Sequence, residues 1–117
     1  MSITPNAGSA TPIPADIAVI TVAGELDLAL SAKVTPEIND AIRSSARAVL
    51  VDLGAVTMMD SSGLGLLINA YRRLDRADRS LAIACPPGPP RRALELTGLD
   101  RELPLYDTRE QALMALS

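Results

Sequence analysis

No histidine, phenylalanine or tryptophan occurs in this chain of 117 residues, and cysteine occurs once. Each absence removes a class of explanation. Without histidine there is no usual general base for a hydrolase triad, and the commonest metal ligand is missing. Without Phe or Trp the core has to be built from Leu, Ile, Val, Ala and Met. A single cysteine, Cys85, leaves no intrachain disulfide and fits a reducing compartment. It closes the apolar run Leu81-Ala82-Ile83-Ala84 and reads as a small buried residue. Apolar runs fall far short of a membrane span. Met1-Ser2-Ile3-Thr4-Pro5 has neither a basic region nor a long apolar stretch, so neither a signal peptide nor a membrane association is expected, and the location expected is cytoplasmic. Excess positive charge is lacking too. The formal net charge is −3, which argues against direct contact with nucleic acid. Arg72-Arg73 and Arg91-Arg92 are short pairs that read as solvated helix faces.

Present instead is an alternation of short apolar runs with helical periodicity. At this length the chain makes one domain. Residues 1–16 hold Pro5, Gly8, Pro12 and Pro14 and read as an irregular arm, with room for a short first strand near Ile3. From residue 17 to 117 strands and helices alternate. Ile17–Val22 is a strand, with its exit marked by Ala23-Gly24-Glu25-Leu26-Asp27. A helix follows, carrying Val34, Ile38, Ala41 and Ile42 on one face, with Pro36 in its first turns or at its start. Ala48–Leu53 is a second strand, and a helix runs from Ser61 to about Ala77. Leu81–Cys85 is a third strand. Pro86-Pro87-Gly88-Pro89-Pro90 is a stiff connector to a short helix over Arg91–Thr97, closed by Gly98. Leu103–Tyr106 is a fourth strand, and Thr108-x-x-Gln111 has capping-box spacing before a last helix. The fold class is α/β, with a four- to five-stranded sheet containing parallel pairs.

Met59-Asp60-Ser61-Ser62-Gly63-Leu64-Gly65 lies where the second strand hands over to its helix. There the first backbone N–H groups of the helix lack intrahelical partners and carry partial positive charge. A serine at that point caps the helix or, if phosphorylated, holds a dianion against those donors. Asp60, Ser61 and Ser62 are all preferred cap residues, so capping alone also accounts for them. Gly63 and Gly65 are poor helix formers in a first turn, each costing about 1 kcal/mol relative to alanine. They keep side chains off the helix tip, so another molecule can approach closely. Leu64 between them joins the core stripe or stands out as a contact residue. Catalytic readings fail: no glycine precedes either serine by two residues as in a nucleophile elbow, and no Gly-Lys pair exists for a phosphate loop. Gly63-x-Gly65 lacks the third glycine of a dinucleotide fingerprint, since Ile68 stands there.

With Gly24-Glu25-Leu26-Asp27, Val51-Asp52-Leu53, Met59–Gly65 and Leu96-Thr97-Gly98-Leu99 in place, the chain resembles the bacterial anti-sigma factor antagonists of the STAS-domain family from about Ile17 onward. The resemblance implies a small mixed sheet flanked by helices on one side. It implies a protein that is not an enzyme and needs neither cofactor nor metal. It implies binding to an anti-sigma factor with serine kinase activity, which frees a sigma factor. It further implies phosphorylation on Ser61 and a phosphatase that restores the serine. Asp27 matches the family's loop aspartate near the acceptor, Asp60 the residue before it, and Gly63 and Gly65 the glycines beside it. Ser62 and Leu64 complete the partner-binding set. A cap role competes for Asp27, Asp60 and Ser62. An accessory subunit of a transport or stress-sensing complex, or a nucleotide-binding STAS module, is the alternative function.

Overall fold

A computed structural model describes residues 12–117. Their order is β1 (Ile17–Leu26), α1 (Leu28–Arg43), β2 (Ala48–Met59), α2 (Ser61–Arg76), β3 (Ser80–Ala84), α3 (Pro89–Leu96), a single 3-10 turn at Leu99–Arg101, β4 (Leu105–Tyr106) and α4 (Arg109–Leu116). The four strands form one sheet in sequence order, and each neighbouring pair is parallel. An additional strand in the N-terminal arm, which would make the sheet mixed, falls on residues 1–11 and lies outside the described residues.

Strands β2 and β3 are buried on both faces, which is why they read as continuous apolar runs rather than alternating ones. Val49, Val51 and Leu53 face one side and pack with Val34, Ile38, Leu67, Leu74 and Leu94 from α1, α2 and α3. Ala48 and Leu50 face the other side and pack with Ala82, Ala84 and α4, through Ala112, Leu113 and Leu116. The helices therefore lie on both faces, not on one as the family resemblance implied. Small alanines on β2 and β3 let α4 seat closely. Arg109 at the start of α4 donates to Asp52 Oδ2 at 2.8 Å and to Thr21 Oγ1 at 2.8 Å, tying the helix to β2 and β1. Thr108 caps α4 by accepting from Gln111 N, as its spacing predicts.

Several boundaries differ from the sequence reading. Strand β1 does not leave the sheet at Ala23 but continues to Leu26, with register shifts on either side of Gly24, whose φ is +101°. Among the described residues β1 pairs only with β2, and a strand paired on one side tolerates that irregularity. Strand β2 runs on to Met59 and carries pairing up to the serine pair. Pro36 sits well inside α1, not in its first turns. The helical bond that its ring nitrogen cannot make is the one to the carbonyl of Ala32, an exposed residue. The stiff connector ends at Gly88, because Pro89 and Pro90 open α3, where a missing N–H costs nothing. Gly98, with φ +78°, follows α3 as expected.

The C-terminal end of α1 is closed by a side chain from elsewhere. Arg79 donates to the carbonyls of Ala46 at 2.9 Å, Ala41 at 3.0 Å and Ile42. A cation there satisfies orphan carbonyls and opposes the negative end of the helix dipole. Arg79→Ala is expected to cost about 2 kcal/mol, since hydrogen bonds to charged groups are individually worth roughly 1.5–3 kcal/mol. Arg79→Lys should recover only part, lacking the fork that reaches three acceptors. Urea titration of the three proteins measures both effects; equal midpoints would refute the capping role.

Candidate functional site

The site is built where the parallel strands β1 and β2 end together. Leu26 and Met59 are paired in register, and the next residue in each strand is an aspartate, Asp27 and Asp60. Each takes the same extended conformation, with φ near −100° and ψ −170°. Each then caps the helix that follows it. Asp27 Oδ1 accepts from Leu30 N at 2.9 Å. Asp60 Oδ1 accepts from Ser62 N at 2.8 Å and Gly63 N at 3.4 Å. A backbone bond from Asp60 N to Leu26 O at 3.3 Å locks the two turns together. Parallel pairing thus sets two capped helix N-termini abreast at the carboxyl edge of the sheet, the usual place for a site in an open α/β sheet.

The cap reading is realised for both aspartates, and it changes what the serines do. Ser61 is the first residue of α2, not its cap, and it is exposed. Its hydroxyl has no base within the sequence neighbourhood other than Asp60, whose Oδ1 is already engaged by the helix. The arrangement leaves the Ser61 hydroxyl at the surface, outside the bonds that cap α2. Ser62 is half-buried and turns toward α1, where it lines a groove between α1 and α2. Leu64 is half-buried and packs on the core. Each of the paired turns carries an exposed apolar side chain: Leu28, directly after Asp27, is 71 % exposed, and Met58, two residues before Asp60, is 43 % exposed.

The two glycines separate. Gly65 is exposed, and a Cβ there would meet nothing within 4 Å. Gly63 is buried, and a Cβ there would lie 2.6 Å from Met59 Cγ and 2.8 Å from Leu26 Cγ. The expectation that both clear the helix tip for a visitor is corrected for Gly63. It lets α2 sit down on the paired strand ends, and Gly65 is left as the open position.

Two further corrections concern arginine. Arg72 and Arg92 are exposed as expected, but Arg73 and Arg91 turn inward. Arg91 Nη1 donates to Cys85 O at 2.7 Å and to Asp107 Oδ1 at 2.9 Å. Arg73 Nη1 donates to Asn39 Oδ1 at 2.6 Å across the α1–α2 groove. Cys85 is fully buried, and burial pushes its thiol up to about 11, against a smaller lowering by Arg91. It stays protonated and unreactive at neutral pH. Sequence reasoning did not find the groove. Its trace was Ser31, a hydroxyl three residues before Val34 on the apolar stripe of α1.

Residues 9–112 match the family model described as the STAS domain. The anti-sigma F factor antagonist of Paenibacillus polymyxa is 31 % identical over 102 residues, covering 86 % of each chain. The anti-sigma-F factor antagonist RsfB of Mycobacterium tuberculosis is 28 % identical over 97 residues, covering 83 % of this chain and 79 % of its own. Among solved structures, an anti-sigma factor antagonist from Mycobacterium paratuberculosis superposes with a TM-score of 0.82 at 30 % identity, over 90 % of this chain and 89 % of that one. No helix of the described residues is long and apolar enough to cross a membrane.

Proposed function

Since this chain belongs to the STAS domain family, we propose that it is an anti-sigma factor antagonist: it binds an anti-sigma factor with serine kinase activity and so frees a sigma factor. Phosphorylation of Ser61 by that kinase switches binding off, and a phosphatase restores it. The names of the relatives support the binding role. The observation that carries the switch is the division of labour at the start of α2. Asp60 caps the helix, so the exposed Ser61 hydroxyl has no structural duty and modification of it costs the fold little.

The docking surface is the helix tip and its apolar rim. It takes in Asp27 and Leu28 from the first capped turn and Met58, Asp60, Leu64 and Gly65 from the second, on either side of Ser61 in the chain, with Ser62 at the edge of the groove. Exposed Leu28 and Met58 supply apolar area to a contact, and Gly65 lets a partner's backbone approach. Gly63 acts from beneath, by packing.

Incubation with candidate anti-sigma kinases and ATP, followed by phosphopeptide mapping, tests the assignment. Transfer is expected on Ser61 and is eliminated by Ser61→Ala. Ser62→Ala retains it at reduced efficiency, because Ser62 is half-buried beside the acceptor. A phosphate mapped to Ser62 or to the exposed Thr57 would overturn the assignment.

A further inference from the structure

The groove between α1 and α2 has a volume of about 400 Å³, within the usual size range of small-molecule sites. Its walls are mostly apolar, from Leu28, Ile38 and Leu66. Two polar groups in it lack the partners that their positions demand. Ser31 is only 6 % exposed, and its hydroxyl has no hydrogen-bond partner. A buried, unpaired hydroxyl is costly, and natural folds leave few of them without a reason. Arg73 is half-buried at the same groove and bonds only the neutral amide of Asn39. Of the four half-buried arginines among the described residues, Arg91 and Arg109 form ion pairs and Arg79 bonds three carbonyls, so Arg73 is the one left with a single neutral side-chain partner. A partly desolvated guanidinium of this kind lacks a carboxylate.

From these three features we infer that the groove binds a small amphipathic monocarboxylate. Its carboxylate pairs with Arg73, its alkyl body lies on Ile38, Leu66 and Leu28, and the Ser31 hydroxyl, closed over in the free protein, turns to donate to an oxygen of the same ligand. The chain's shortage of aromatics supports this class over a nucleotide, because no ring lines the groove to stack on a base. One carboxylate suits one unpaired cation, and a dianionic head group would leave the second charge without a partner.

Sodium octanoate and 1-octanol are suitable probes, since they share a chain and differ in charge. Titration of the full chain, followed by amide NMR, should give saturable octanoate shifts at Ser31, Thr35, Asn39 and Arg73. 1-Octanol should bind the unmodified protein at least about tenfold more weakly. Arg73→Gln should weaken octanoate by a similar factor and leave 1-octanol unchanged, at a native amide spectrum. Three results would each overturn the inference: no saturable shift with octanoate, equal affinity for the two probes, or shifts spread over both faces of the sheet. The comparison of probes needs no variant, so a poorly folded Arg73→Gln protein would leave the test intact.

Discussion

Phosphorylation of Ser61 is expected to weaken binding to the anti-sigma factor on the order of 100-fold while the domain stays folded. The reasoning compares the same charge in two surroundings. In the free domain the phosphate stands in water at the start of α2, where the helix dipole favours it by roughly 0.3–1 kcal/mol. Asp60 repels it, but at 4 Å in water that repulsion is only about 1 kcal/mol per unit charge. For a group of about −2 charge the balance is roughly 1 kcal/mol against the modified domain, and Asp60 already occupies the N–H groups of Ser62 and Gly63, so the phosphate neither gains nor breaks a cap. In the complex the water is gone. The effective dielectric falls to ~20, where one such contact costs about 4 kcal/mol. Leu28 and Met58, the exposed apolar rim, offer the dianion nothing in return. Even a partial penalty of roughly 2.8 kcal/mol is 100-fold in affinity. Calorimetric titration of modified and unmodified protein, with parallel thermal melts, makes the comparison. The melting temperature should fall by roughly 4 °C, the shift that about 1 kcal/mol produces in a domain of this size. Equal affinities would sink the switch, and a lost melting transition would mean that the phosphate acts by unfolding.

Gly63→Leu should come close to abolishing the fold, whereas Gly65→Leu should melt near the unmodified protein and bind its partner poorly. Overpacking a closed core typically costs about 1–3 kcal/mol per insertion. At Gly63 the first added carbon already overlaps Met59 and Leu26. Those are the paired last residues of β2 and β1, so they cannot yield without disturbing both capped turns. The alanine pair is the sharper test. Gly63→Ala should destabilise despite the gain of about 1 kcal/mol in helix propensity. Gly65→Ala, in open space, should stabilise by up to roughly 1 kcal/mol. Opposite signs from identical substitutions two residues apart are the expected result. Two stabilising substitutions would show that α2 is free to lift away from the strands.

The sequence allowed this contrast to be anticipated only in part. Buried strands, helix caps and the start of a helix at Ser61 are local matters of pattern, and they are legible in the sequence. Which glycine faces the core depends on helical phase. Gly63 falls four residues before Leu67 on the stripe that continues through Ala70 and Leu74, so the phase was present but outweighed by the general permissiveness of glycine. The sequence pattern ends β1 early because Gly24 reads as its exit, and ends β2 at Leu53, where the continuous apolar run stops. Pairing between the two strands carries β1 past Gly24 and β2 past Leu53. The second face of the sheet was missed for a different reason. Ala48, Ala82 and Ala84 are too small to advertise a contact, and only their coincidence in register exposes the seat for α4.

Strand order that copies chain order has a consequence for synthesis. As the chain leaves the ribosome, each strand after the first finds its neighbour already made, and α1 and α2 can settle on one face as they emerge. The opposite face, with Ile17, Leu50 and Ala82, receives α4 only after all four strands are out. Until then its apolar residues lack the cover that Ala112, Leu113 and Leu116 give them. The nascent domain is therefore half-finished for most of its translation, and Arg109 completes it by reaching Asp52 and Thr21 at once.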